Sequence, residues 1–135
     1  MAHTRLRYHL ITATKGRQPL LLPEVEQVLY DALPMVVSDA GGHLYAAGGM
    51  EDHMHAAIAI KPTVAVSNFV CMVKTDTSRI IRAEFPDLNF RWQRSFGAFT
   101  VAPDEMEPLL KYIANQKQHH RRQTTRDIWE CVDFR

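Results

Sequence analysis

Gly48-Gly49-Met50-Glu51-Asp52-His53-Met54-His55-Ala56-Ala57-Ile58-Ala59-Ile60 is the stretch on which the architecture turns. The glycine pair closes one extended segment over residues 43–49, and a second runs from about His53 to Ile60. These predict two consecutive antiparallel strands. Along the second strand, Met54, Ala56, Ile58 and Ile60 leave one face and can fill a core. His53, His55, Ala57 and Ala59 leave the other. The two imidazoles then stand on backbones about 6.6 Å apart, close enough to converge on one metal ion, and their alanine neighbours leave room for something to approach.

Working outward, residues 7–14 alternate, with Tyr8, Leu10 and Thr12 on one face and His9, Ile11 and Ala13 on the other, as a half-buried strand requires. Beyond the Lys15–Pro19 turn, Val25, Val28, Leu29, Ala32 and Val36 recur at helical spacing and predict a helix over 24–38. Pro34 removes a backbone donor within it and predicts a kink or an early end. Gly41-Gly42 then makes a turn. Between Thr63 and Ala83, Val66, Phe69, Val70, Val73, Ile80 and Ile81 form an apolar stripe, with Lys74, Ser78 and Arg82 on another face. Residues 92–101 read as extended around Gly97. Pro103-Asp104-Glu105 opens a C-terminal helix to about Arg122, and Pro108 predicts a separate first turn with the main helix beginning near Leu109. The order strand, helix, strand, strand, helix, strand, helix predicts a single α+β domain over 1–135. Its expected core is a ferredoxin-like four-stranded antiparallel sheet with helices packed on one face.

The 135 residues, 46% apolar, suffice for one core. Two isolated cysteines, Cys71 and Cys131, form neither a disulfide framework nor a thiolate zinc motif, which fits a reducing cytoplasm. Polar residues interrupt the N-terminus, and no apolar run reaches the ~20 residues of a membrane span, so neither a signal segment nor a membrane partner is expected. The formal charge is only +1, but it is uneven. Residues 1–60 carry four Lys/Arg against six Asp/Glu, and residues 61–135 twelve against nine, so a phosphate-binding surface belongs mainly to the C-terminal half.

Alone, His-x-His is more often a pair of surface or hydrogen-bonded histidines than a metal site. A third ligand is available on the C-terminal helix, where Tyr112 and Gln116 are four residues apart and share a helical face. An amide oxygen can complete a hard cation's shell. The plain alternative packs Tyr112 beside Leu109 and Ile113 and leaves Gln116 solvated.

Taken in order, Tyr8-His9, the Lys15/Arg17 loop, His53-Met54-His55, Lys74 with Ser78-Arg79, Trp92-Gln93, Gly97-Ala98-Phe99, Tyr112-Ile113-Ala114-Asn115-Gln116 and His119-His120 resemble the single-tyrosine HUH transposases of small bacterial and archaeal insertion sequences. The resemblance covers nearly the whole chain. It implies that His53 and His55 are the HUH histidines, Gln116 the third ligand of Mg²⁺ or Mn²⁺, and Tyr112 a nucleophile that forms a 5′-phosphotyrosine. It also implies a homodimer whose tyrosine helices dock on the partner's histidines. The expected substrate is single-stranded or hairpin DNA, with Lys74, Ser78, Arg82, Arg121 and Arg122 as candidate phosphate contacts. A phenol with an ordinary pKa of about 10 is roughly one part in a thousand ionised at pH 7, so such a tyrosine needs assistance from nearby positive charge or a base. Two other readings stay open: a metallohydrolase that activates water with the histidine pair, and an inactive or domesticated nucleic-acid-binding module.

Overall fold

The computed structural model describes residues 3–118. Its strands are β1 (Arg7–Ala13), β2 (Gly42–Met50), β3 (His53–Ile60) and β4 (Gly97–Thr100). Its helices are α1 (Pro23–Asp39), α2 (Val66–Glu84) and α3 (Met106–Ala114). One antiparallel sheet runs in the order β2-β3-β1-β4. This is the ferredoxin-like arrangement expected of a β-α-β-β-α-β chain.

The strand alternation becomes two faces with different covers. Leu10, Met54, Ala56, Ile58 and Ile60 join Leu29, Leu33, Val36, Phe69, Val73 and Ile81 in the main core, so α1 and α2 pack on this side. Ala57, on the histidine side, packs instead against Met106, Leu109 and Ile113 of α3. The expectation of helices on one face therefore holds for α1 and α2, while α3 lies across the other.

Both prolines resolve differently from the simplest reading. Pro34 does not end α1, which continues to Asp39. It sits on the exposed side of the helix, while Leu33, Val36 and Val37 remain buried across the interruption. The apolar stripe thus outweighs one missing donor on the solvent side. Pro108 does not delay α3 to Leu109; the helix begins at Met106 after a one-turn 3₁₀ segment at Pro103–Glu105. In the first turn of a helix the N–H that proline lacks has no intrahelical partner in any case.

Two glycines hold the frame together. Gly41 adopts φ +95° where α1 turns into β2, a conformation that side chains with a Cβ rarely take. At Gly48 a Cβ would stand 2.7 Å from the Ile113 carbonyl oxygen, so only glycine lets α3 lie this close to β2. No helix among the described residues is long and apolar enough to cross a membrane.

Candidate active site

Gly48 is the cross-strand partner of His55, so the close approach of α3 occurs directly beside the histidines. His53 and His55 are 2% and 0% exposed, Tyr112 3% and Gln116 2%. The His55 and Tyr112 rings meet edge to face with centroids 5.9 Å apart, and the two histidine rings stand 5.1 Å apart at 77°. In the described chain all four come from the same molecule.

Tyr112 and Gln116 were expected on one uninterrupted helix. Instead α3 ends at Ala114, and Asn115 breaks it with φ −107° and ψ 24°. Gln116 still reaches the site, its Oε1 3.4 Å from His53 Nε2. Lys117 anchors this segment, donating to the Glu26 carboxylate at 2.9 Å and to the Gly49 carbonyl at 3.1 Å.

The protonation pattern tests whether these groups suit a cation. His53 Nδ1 is 2.8 Å from Asp52 Oδ1. Burial pushes the Asp52 carboxyl up, but the His53 hydrogen bond and the charges of Arg17 and His53 outweigh it and hold it below the ordinary value. An ionised Asp52 only accepts, so His53 donates from Nδ1, and in its neutral form it presents a lone pair at Nε2. Gln116 Oε1 is also an acceptor. With His53 neutral, these two acceptors 3.4 Å apart would favour a cation between them, and bonds of about 2.1 Å would then subtend roughly 110°. Among the described residues no three His, Cys, Asp or Glu side chains cluster as a metal site, so a cation beside the histidines would need a donor of another type, such as the Gln116 amide oxygen. The residues fit a divalent ion.

The proposed DNA contacts separate into two kinds. Lys74 Nζ donates to the carbonyls of Gln93, Arg94 and Ser95 at 2.6, 3.2 and 2.8 Å. Burial pushes its pKa down to about 8, which leaves it mainly an ammonium at neutral pH. Arg82 donates to the Phe90 carbonyl at 3.0 Å, and Ser78 is 7% exposed. Lys74 and Arg82 thus brace the loop after α2. Trp92 joins them by donating from its indole N–H to Thr77 Oγ1. Together they shape an open cleft of about 690 Å³ to which Lys15, Lys74, Arg82, Arg91 and Arg94 contribute five cations and no acid. Arg121 and Arg122, like His119 and His120, lie outside the described residues.

Sequence reasoning missed His9, Asp52 and the Lys15, Arg91 and Arg94 part of the cleft. His9 is 1% exposed, with Nε2 2.9 Å from His55 Nδ1. The alternation of β1 already placed His9 with Ile11 and Ala13, and Asp52 precedes the first histidine directly. What alternation does not show is strand order, and it is the β1–β3 pairing, with Ile11 opposite His55, that brings His9 to the site.

Comparison with known proteins points the same way. A family profile described as "Transposase IS200 like" matches residues 2–116. ISDra2 transposase TnpA of Deinococcus radiodurans is 29% identical over 118 residues, covering 83% of this chain and 84% of the relative. The transposase of insertion sequence element IS200 from Salmonella typhimurium is 26% identical over 129 residues, covering 90% and 84%. A crystal structure of a transposase from D. radiodurans R1 superposes with a TM-score of 0.69 at 31% identity, covering 86% of this chain and 98% of that one. A REP-associated tyrosine transposase bound to a REP hairpin shares the fold, with a TM-score of 0.65 at 18% identity and coverage of 89% and 74%.

Proposed function

Because the chain belongs to the IS200-like transposase family, whose members act on DNA, we propose that it cleaves and rejoins single-stranded DNA through a covalent bond to Tyr112. The observation that carries this reading is the convergence of Tyr112, His53, His55 and Gln116 beside Gly48, within one chain.

In this reading the Tyr112 oxygen attacks the phosphorus of a scissile phosphodiester. The bond to the 3′-oxygen breaks as the tyrosine–phosphorus bond forms. The phenol gives up one proton and the departing 3′-hydroxyl gains one. A second 3′-hydroxyl attacking the phosphotyrosine reverses the chemistry and rejoins DNA, with no water or nucleotide consumed. His53 Nε2, the remaining ring nitrogen of His55 and Gln116 Oε1 would hold Mg²⁺ or Mn²⁺, which supplies charge neutralisation at the phosphate when bound. All four side chains are at most 3% exposed, so a phosphodiester enters only when neighbouring chain gives way. The break at Asn115 separates Gln116 from the helix that bears Tyr112.

The basic cleft is the interface we assign to the DNA backbone. Its arginines suit both phosphates and unstacked bases, and its five cations stand on a chain whose formal net charge is only +1. The hairpin seen with the REP-associated relative supports a structured DNA strand as substrate here. A homodimer is the expected assembly, because two ends must be exchanged and each chain carries one nucleophile.

The test is incubation with 5′- and 3′-labelled single strands from the DNA flanking the gene, folded into hairpins, with Mg²⁺ or Mn²⁺, then a denaturing protein gel. A labelled protein band that requires metal, and vanishes in Tyr112→Phe, is expected. Cleavage without a band that survives Tyr112→Phe would establish a metallohydrolase instead. Binding without cleavage would leave a nucleic-acid-binding module.

A further inference from the structure

From the 2.9 Å contact between His9 Nε2 and His55 Nδ1 we infer that His9 is a positioning residue, which sets the tautomer of His55 and so decides whether His55 can hold a cation. The inference rests on the reading of His53 and His55 as cation ligands.

The two rings are nearly parallel, 24° apart with centroids at 5.1 Å, and both are buried. One proton lies between the two nitrogens, and its owner has consequences on the far side of His55. If His9 donates from Nε2, a neutral His55 accepts at Nδ1 and must carry its own proton on Nε2. That nitrogen then has no lone pair for a metal. If His55 donates from Nδ1, its Nε2 is a ligand, and His9 must be the tautomer protonated on Nδ1. Only the second arrangement leaves the site competent.

Behind His53 the Asp52 carboxylate, 2.8 Å from Nδ1, takes the same place, since a carboxylate can only accept. The two histidines therefore have partners of different kinds behind them: a carboxylate behind His53 and an imidazole behind His55. Metal-bound histidines commonly donate their second N–H to an acceptor, and loss of that acceptor typically lowers metal affinity 10- to 100-fold. Register makes His9 hard to replace from elsewhere. His9 and Ile11 face the same side of β1, and Ile11 pairs with His55, so residue 9 reaches it from one strand pair along. Phe99, on β4, lies against the other side of His9 with ring centroids 6.3 Å apart, which confines the imidazole.

The experiment compares the wild-type chain with His9→Phe, which keeps a ring and removes the acceptor, and His9→Gln, whose amide oxygen can accept near the place of Nε2. Long-range ¹⁵N–¹H correlation spectra of the metal-free proteins report the tautomer of His55, and Mn²⁺ titration followed by electron paramagnetic resonance reports affinity. The wild type should show His55 protonated on Nδ1. His9→Phe should lose that single tautomer and bind Mn²⁺ 10- to 100-fold more weakly, and His9→Gln should recover most of both. Wild-type His55 protonated on Nε2, or a folded His9→Phe with unchanged tautomer and Mn²⁺ affinity, overturns the inference. Neither readout requires DNA. Absence of the Tyr112 adduct with these results intact would therefore count against strand transfer and not against His9.

Discussion

Lys74 illustrates how a residue of the expected type can hold a different position in the chemistry. Its spacing with Ser78 and Arg82 suggested one row of phosphate contacts, and the spacing is right for one helical face. Spacing says nothing about what a face meets, and this one meets the carbonyls of residues 93–95. Lys74→Met should therefore destabilise the fold by about 1–3 kcal/mol, the usual magnitude for hydrogen bonds to a charged group. The folded pKa, about 8, lies below the unfolded 10.5, so the unfolded chain holds more protons between those values and the wild type gains stability as pH rises through them. The deficit of Lys74→Met in urea denaturation should accordingly widen from pH 8 to 10.5. Arg91→Gln with Arg94→Gln should leave the denaturation curve within about 0.5 kcal/mol. It should flatten the salt dependence of dT20 binding by about 0.7 per lost phosphate contact. An unchanged slope would remove the cleft from the DNA path.

At the level of elements, β3 was readable almost to the residue because its two faces carry different residues for different reasons. Apolar side chains mark the core side, and histidines with alanines mark the side that receives α3. The helices were less legible at their interruptions. Whether Pro34 stops a helix depends on how much packing lies beyond it, and Pro108 depends on which residue starts the turn; both are settled in three dimensions. The break at Asn115 has no sequence signature of its own, and the four-residue spacing of Tyr112 and Gln116 pointed to the right partners through the wrong local geometry. Gly48 carries the next prediction. A methyl group there would meet the Ile113 carbonyl, part of the α3 backbone, so relief requires moving the helix that bears Tyr112. Gly48→Ala should reduce adduct formation at least tenfold while circular dichroism still reports the native content of helix and strand. Full adduct yield would mean that α3 tolerates displacement.

For the whole molecule, chain order brought the reacting groups together in a way their sequence positions did not advertise. Tyr112 lies fifty-nine positions after His53, and α3 closes that gap by crossing the sheet face that α1 and α2 leave open. The sequence reading anticipated partners exchanging this helix; the described chain places it on its own histidines. Mixed heterodimers, one subunit carrying His53→Ala and His55→Ala and the other Tyr112→Phe, should accordingly stay at background in the adduct assay. Recovery of adduct in verified heterodimers would show that the helix changes hosts during the reaction.

The Lys117 anchor to Glu26 and Gly49 gives this arrangement a consequence for inheritance. If the proposed reaction runs with the segment after α3 pinned to its own α1 and β2, one gene copy suffices for a reaction centre. Lesions in two copies, one in the histidine strand and one in the tyrosine helix, then belong to a single complementation group. A genome with several decayed copies could not pool their intact parts, so each copy stands or falls under selection by itself.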